Sequence, residues 1–175
     1  MKTNLVFKSA DGAEISVALG FDALASTIRS MADGKEMESY WEVLADHSAA
    51  DVRETLASKE HLNEATLTKL SNDPSRDVIG CLLNSDSFRA WADSDTLAKI
   101  CQSDTYLAKQ IASSIGNFSN ADTDALVKHL SVHNDPSVRM ELASGWGLSK
   151  FSIKSLSKDT DPSVASTAQR TLEDR

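Results

Sequence analysis

The sequence predicts an all-α protein, a right-handed α-solenoid of about five short helical repeats preceded by a small N-terminal β-hairpin and helix cap. Three observations predict this class. Two sets of apolar residues recur with nearly the same period, the turns between helices share their residues, and the first twenty residues alternate as strands do. We place the hairpin and capping helix in residues 1–39 and the repeat array in residues 40–175.

The N-terminal segment differs from the rest of the chain. Apolar and polar residues alternate on both sides of Asp11-Gly12, a dipeptide typical of hairpin turns. A helix is predicted next, with Gly34 placed to end it, because three apolar residues share one face: Leu24, Ile28 and Met31. A hairpin alone is marginal in water. We therefore expect it to cover the first repeat, with homodimerisation through a strand edge as the alternative.

Two independent sets of apolar residues define the repeat. Those that precede a turn are spaced 26, 30, 30 and 26 residues apart: Leu44, Leu70, Ile100, Leu130 and Leu156. Those that open the next helix are spaced 26, 29, 31 and 26 residues apart: Val52, Val78, Leu107, Val138 and Val164. The first four opening residues have apolar partners four and five positions on, as one face of a helix requires. The last unit turns polar at Gln169 and Arg170, as a terminal repeat does.

The turns between helices have matching chemistry. Asp73, Asp135 and Asp161 each stand directly before a proline. Aspartate accepts hydrogen bonds from the free N–H groups of a helix start, and proline suits the first helical position, so we expect an N-cap at each.

These motifs resemble a known class of repeat. The segment from Asn134 to Ala143, and that from Asp51 to Ala57, resemble the Asp-Pro-x-Val-Arg…Leu-Ala signature of HEAT-like repeats. The short period is similar to that of the leucine-rich repeat variant family. Arginine follows the valine only in Arg53 and Arg139. The resemblance implies a non-catalytic, bacterial-type cytoplasmic scaffold or adaptor that binds a protein with its curved face.

The predicted partner-binding residues come from two arguments. By the resemblance, one helix of each repeat lines the inner face, and its outward positions are Arg53, Glu54, Lys109, Gln110, Arg139 and Glu141. Trp91 and Trp146 fall in or near polar segments between helices, where a packing role is less obvious. Tryptophan is enriched in binding hot spots and is also a common wedge between helices, and both interpretations stay open.

Composition and charge restrict the function classes. A hydrophobic fraction of 41% and a charged fraction of 25% are those of a globular protein, and no apolar run approaches a membrane span or the core of a secretion signal. The net charge of −8 opposes nucleic-acid binding. It would attract a basic protein partner, and the alternative is that the surplus of acidic residues serves only solubility. Two alternatives are an acidic inhibitor or immunity-type protein for a basic partner, and a HEAT-like nucleic-acid-binding protein of the alkylated-base glycosylase type.

Residue types capable of catalysis or metal binding are better explained here by structural roles. His129 and His133 have the spacing of a helical zinc pair but lack the other ligands. The carboxylate pairs Asp93/Asp95 and Asp122/Asp124 directly precede helices predicted from Thr96 and Ala125, which they can cap. The cysteines lie at 81 and 101, too far apart for the iron–sulfur cluster of the variant family. We therefore predict no catalytic residue, no metal site and no cofactor.

Overall fold

The computed structural model describes residues 3–8 and 11–175, and helices dominate this part of the chain. The strands are β1 (Thr3–Lys8) and β2 (Glu14–Leu19). The helices are α1 (Phe21–Ser30), α2 (Glu38–Leu44), α3 (Ala50–Ala57), α4 (Glu64–Ser71), α5 (Arg76–Leu82), α6 (Asp86–Trp91), α7 (Ser94–Ser103), α8 (Thr105–Ser113), α9 (Thr123–Leu130), α10 (Pro136–Ser144), α11 (Lys150–Leu156) and α12 (Pro162–Glu173). The all-α class is confirmed in this coarse form.

Aspartate side chains begin many of the helices. Asp93 Oδ1 accepts the Thr96 N–H at 2.8 Å at the start of α7, and Asp122 Oδ1 accepts the Asp124 N–H at 3.0 Å at the start of α9. Asp135 and Asp161 cap α10 and α12, each of which has proline at its first position. Capping at these four turns is confirmed, but in the pairs Asp93/Asp95 and Asp122/Asp124 only the first aspartate caps, because α7 and α9 begin before the second. The caps satisfy N–H groups that a helix leaves without partners in its first turn.

The chain forms two compact units, Met1–Ser85 and Asp86–Arg175. In the first unit, α1, α3 and α5 pack side by side, and α2 and α4 pack against them. The core of this unit is built from the predicted apolar positions and is fully enclosed at Ile28, Val52, Leu56, Leu70 and Leu82. Since α1 packs on α3, the predicted capping helix belongs to the same stack as the first repeat.

The second unit repeats this arrangement. Here α8, α10 and α12 pack in sequence, while α7 contacts α8 and α9, and α11 packs on α12. The residues predicted to open these helices are buried, and so are their partners four positions on: Leu107, Ile111, Val138, Leu142, Val164 and Ala168. The helical register assigned from the sequence is therefore confirmed.

The N-terminal strands pair with each other in an antiparallel ladder that sets Phe7 opposite Ile15 and Val6 opposite Ser16. Gly12, in the turn, has a φ of +89°, a conformation that glycine adopts without strain. Ile15 is 65% exposed. The roles of the hairpin as a cap or as a dimer contact stay predictions. One detail of this region is corrected: α1 ends at Ser30, four residues before Gly34, because the residue after it is already extended.

Within the described residues, no helix is both long and apolar enough to cross a lipid bilayer.

Candidate functional site

A buried arginine–aspartate pair, here called the Arg–Asp clasp, joins two turns of the first unit to α3. Arg53 Nε donates to Asp73 Oδ2 at 2.6 Å, and Arg53 Nη2 donates to Asp73 Oδ1 at 2.9 Å. The third nitrogen, Nη1, donates to the carbonyl oxygen of His47 at 2.6 Å. The two side chains are 11% and 3% exposed. The guanidinium thus uses its fork on one carboxylate and one backbone carbonyl, and both ions are sheltered from water.

The same clasp recurs in the second unit with the same atoms. Arg139 Nε and Nη2 donate to the two oxygens of Asp159 at 2.8 and 2.9 Å, and Nη1 donates to the His133 carbonyl oxygen at 2.6 Å. These bonds raise the pKa of Arg139 and hold the pKa of Asp159 below its usual range. The side chains are 13% and 8% exposed, slightly more than in the first unit.

The histidine of each clasp is part of its turn. His47 Nδ1 accepts the Ala49 N–H at 3.1 Å, and His133 Nδ1 accepts the Asp135 N–H at 3.1 Å. One ring nitrogen of His133 is thereby engaged by the backbone. Within residues 3–8 and 11–175, no three or more His, Cys, Asp or Glu side chains are grouped so as to hold a metal ion.

The clasps bear on two sequence predictions and correct one of them. Arg53 and Arg139 were expected to line a partner-binding face; each side chain lies in the turns of its own unit and donates three hydrogen bonds there, and its part in partner binding stays a prediction. Asp73 was expected to cap a helix, but α5 begins later, with Ser75 at its N-cap position, and the Asp73 carboxylate pairs with arginine instead. The Asp73-Pro74 dipeptide did not mark a helix start, because the aspartate before this proline belongs to the clasp and not to an N-cap.

A signal for the clasp is present in the sequence. When positions 40–82 are aligned without gaps to positions 126–168, 12 of the 43 residues are identical, and the identities include the histidine, arginine and aspartate of the clasp. An offset of 86 residues, three repeat periods, therefore exposes a duplication that comparison of neighbouring repeats misses.

The other predicted residues of the inner helices are partly accessible. Glu54 on α3, Lys109 and Gln110 on α8, and Glu141 on α10 are half-buried. The Gln110 side-chain oxygen is buried and has no hydrogen-bond partner among the described residues. Glu54 belongs to the first unit and the other three to the second.

In the first unit, Glu54 lines a surface pocket along α1 and α3. The acidic members of the lining are Asp22, Asp51 and Glu54, and Arg29 is its basic member. The Cys81 thiol lies 3.6 Å from Glu54 Oε1, and its pKa is raised, first by burial and then by the nearby carboxylate. The pKa of the Cys101 thiol is raised to about 12 by burial. Both thiols are therefore protonated at neutral pH and poor nucleophiles.

The three tryptophans have different environments. Trp41 is fully buried, and Lys59 Nζ lies 5.4 Å from the centroid of its ring, so Trp41 is a core packing residue. Trp91 is half-buried, with its ring centroid 5.7 Å from that of Phe88. Trp146 is 79% exposed. The sequence left open whether Trp91 and Trp146 pack or bind. Of the three tryptophans, Trp146 has the side chain most exposed to solvent.

Close backbone contacts hold the Trp146 loop in place. The Gly116 N–H donates to the Trp146 carbonyl oxygen at 3.2 Å. A Cβ atom on Gly147 would lie 2.6 Å from the Gly116 Cα, and one on Gly145 would lie 2.5 Å from the Ala112 carbonyl oxygen. Gly147 also has a φ of +94°. Only glycine permits this approach, so the turn expected from the two glycines also fixes the backbone that carries the tryptophan.

Arg175 also holds the Trp146 loop in place. Its Nη1 donates to the Leu148 carbonyl oxygen at 3.0 Å and its Nη2 to the Gly145 carbonyl oxygen at 2.8 Å. The guanidinium carbon lies 5.9 Å from the centroid of the Trp146 ring, within the range of a cation–π contact. An exposed tryptophan is thereby presented on a braced loop.

A second apolar side chain is exposed in the same unit. Phe151, the second residue of α11, is 84% exposed and lines a groove between α9 and α11. Val127 and Lys128 line it from the α9 side. The sequence argument did not single out Phe151, because its position in a short helix gave no sign of which side faced the core.

Comparison of the chain with protein-family models, with curated proteins and with solved structures gave no match.

Proposed function

We propose that this protein is a non-catalytic interaction scaffold or adaptor, a HEAT-like helical repeat array that binds another protein in the cytoplasm. The side-by-side packing of α1, α3 and α5, and of α8, α10 and α12, supports a repeat array. Stacked repeats provide broad surfaces for recognition without a catalytic centre.

The exposed Trp146 is the observation on which the proposal depends. A tryptophan that is 79% exposed leaves a large apolar ring in water, and bound partners commonly cover such rings. A braced loop loses little conformational freedom on binding, so the favourable burial of the ring is not offset by a large ordering cost. Glycine contacts and Arg175 brace this loop.

The test is affinity capture with the full chain from a nuclease-treated lysate of the source organism. Three baits are compared: the wild type, Trp146→Ala, and Tyr40→Ala as a matched control, since Tyr40 is an exposed aromatic residue of the first unit. We expect one stoichiometric protein partner that the wild type and the control retain and that Trp146→Ala loses. Equal capture by all three baits, or no stoichiometric partner, would contradict the proposal.

An inhibitor or immunity-type role toward a basic protein is a second candidate. The first unit has 8 basic and 14 acidic residues, a net charge of −6, whereas the second unit has 10 and 12, a net charge of −2. The acidic pocket along α1 and α3 is a natural place for a cationic side chain. This role predicts one-to-one binding whose association rate falls as salt is raised, and which Glu54→Gln weakens while Trp146→Ala does not.

A further inference from the structure

The groove between α9 and α11 differs sharply from the corresponding region of the first unit. In the first unit, Lys69 of α4 reaches across to α2, with its Nζ 2.7 Å from Asp46 Oδ2 and 3.3 Å from the Glu42 carbonyl oxygen. In the second unit, the position of Lys69 is taken by Ser155, which is too short to make this bridge. The two outer helices α9 and α11 are left with an open groove of about 460 Å³.

The apolar content of this surface also differs. Ala65 of α4 corresponds to Phe151, and the acidic Asp46 corresponds to Val132, which is 76% exposed. A small residue and a charged residue are thus replaced by two exposed apolar side chains. Water-exposed apolar surface beside a groove is typical of a site that another molecule covers.

The charge of this surface is reversed. Four positions on the outer helices and the turn after them are basic in the second unit and acidic or neutral in the first: Glu42 and Lys128, Glu64 and Lys150, Thr68 and Lys154, Asn72 and Lys158. Across them the first unit has a charge of −2 and the second a charge of +4. The four lysines are exposed, and none of them has an ion pair within the part of the chain that the structure describes.

Three of these lysines lie on the two helices that border the groove, whose lining combines Val127 and Phe151 with four serines. Lys128 is part of its lining, and Lys150 precedes Phe151 in α11. Lys154 lies one helical turn beyond Lys150, so both project from the same side of α11. The lining also includes Asp124 in the first turn of α9, where its negative charge interacts favourably with the helix dipole.

We propose that the groove between α9 and α11 binds an acidic segment of a partner protein that carries an apolar side chain among its carboxylates. The apolar side chain would enter the groove against Phe151 and Val127, and the carboxylates would pair with Lys128, Lys150 and Lys154. Charge complementarity selects the acidic segment, since the surface is locally basic on a chain of net charge −8. This inference rests on the proposed scaffold function and assigns it a partner chemistry distinct from the basic partner expected from the overall charge.

The experiment is selection from a displayed library of random 12-residue peptides on the full chain. We expect the selected peptides to be rich in Asp and Glu around one aromatic or aliphatic residue. Their affinity should fall about tenfold or more with Phe151→Ala and with Lys154→Glu, and should fall as salt rises. The control is Lys35→Glu, which makes the same change in net charge at an exposed position of the first unit and should leave the affinity unchanged.

Several results would overturn the inference. These are selection of peptides with no acidic enrichment, no selected peptide at all, or acidic peptides that bind Phe151→Ala and Lys154→Glu as tightly as the wild type. Binding of single-stranded DNA that both variants abolish would make the groove a nucleic-acid site. A dimer in sedimentation equilibrium that both variants dissociate would make its occupant a second copy of the chain.

The variants also separate this inference from the proposed function. If Trp146→Ala loses the cellular partner but no acidic peptide binds the groove, the scaffold function stands and the inference fails. If acidic peptides bind the groove but capture finds no stoichiometric partner, the scaffold function fails and the groove chemistry stands. Phe151 and the lysines are exposed, so their replacement leaves no cavity and unfolding does not confuse the result.

Discussion

Replacing Arg53 by methionine is expected to destabilise the protein by about 3–5 kcal/mol. The variant keeps much of the apolar stem of the side chain but removes all three hydrogen bonds of the clasp. The Asp73 carboxylate, 3% exposed, would be left with the Ser75 N–H at 2.8 Å as its remaining hydrogen bond in the first unit. An ion buried without its counter-ion carries the full cost of lost hydration, which is why this change should exceed an ordinary surface substitution.

The double variant Arg53→Met/Asp73→Asn tests whether the stability lost by Arg53→Met comes mainly from the unpaired charge of Asp73. It removes both charges, so the largest penalty disappears, and the cost that is left is that of the lost hydrogen bonds between neutral groups, about 1–3 kcal/mol. The double variant should therefore be more stable than Arg53→Met alone. Arg53→Lys should lie between the wild type and Arg53→Met, because lysine keeps the charge but cannot bond both carboxylate oxygens in the fork geometry.

The second unit supplies a matched comparison. Arg139→Met should cost less than Arg53→Met, because the Arg139 and Asp159 side chains are more exposed and the stranded carboxylate can recover some hydration. The assay is equilibrium unfolding in urea, followed by far-ultraviolet circular dichroism and by the combined fluorescence of the three tryptophans, one in the first unit and two in the second. A loss below about 1 kcal/mol for Arg53→Met, or a double variant less stable than the single, would refute the reasoning.

Four further predictions concern the fold. The pKa of Asp159 is lowered in the folded state, so its charged form stabilises the native state above the unfolded-state pKa of about 3.9, and this stability is lost as pH falls through the lower folded-state pKa. The free energy of unfolding should therefore fall less steeply with acid in Asp159→Asn than in the wild type, and an unchanged slope would contradict the assignment. Leu142→Ala should cost about 2–5 kcal/mol in urea unfolding because the leucine is fully buried, and a loss below about 0.5 kcal/mol would contradict the helical register. Gly147→Ala should destabilise the second unit through its positive φ and its contact with Gly116, whereas an unchanged melting temperature would show that the loop can move aside. Deletion of residues 1–20 should lower stability without changing the sedimentation mass if the hairpin is a cap, and conversion of a dimer to a monomer would favour strand pairing instead.

Local features of the fold were predictable from the sequence because they depend on residues close together in the chain. The apolar period marked Val52 and Leu142 as core, and both are fully buried. Asp135 and Asp161 cap their helices as expected, since capping requires only a side-chain oxygen within three residues of the N–H groups.

The candidate site was predicted only in part. Trp146 was identified from its place in a polar segment between helices, and its exposure agrees with that choice. The buried pairing of Arg53 with Asp73 was not predicted, because a repeat signature indicates that a residue type recurs but not which way its side chain turns. Phe151 was missed because a single apolar residue in a short helix looks the same whether it faces the core or the solvent.

The sequence by itself determined the helical class, the period of the repeat, the buried positions and most helix starts, since each follows from local spacing and capping chemistry. Only the tertiary structure decided that Arg53 reaches across 20 residues to Asp73, that Gly116 and Gly147 of the second unit meet backbone to backbone, and that Phe151 and Lys128 line one open groove. These features depend on distances between segments that are remote in the chain. The physical reason is that burial of an ion or exposure of a ring is a property of the packed neighbours and not of the residue alone.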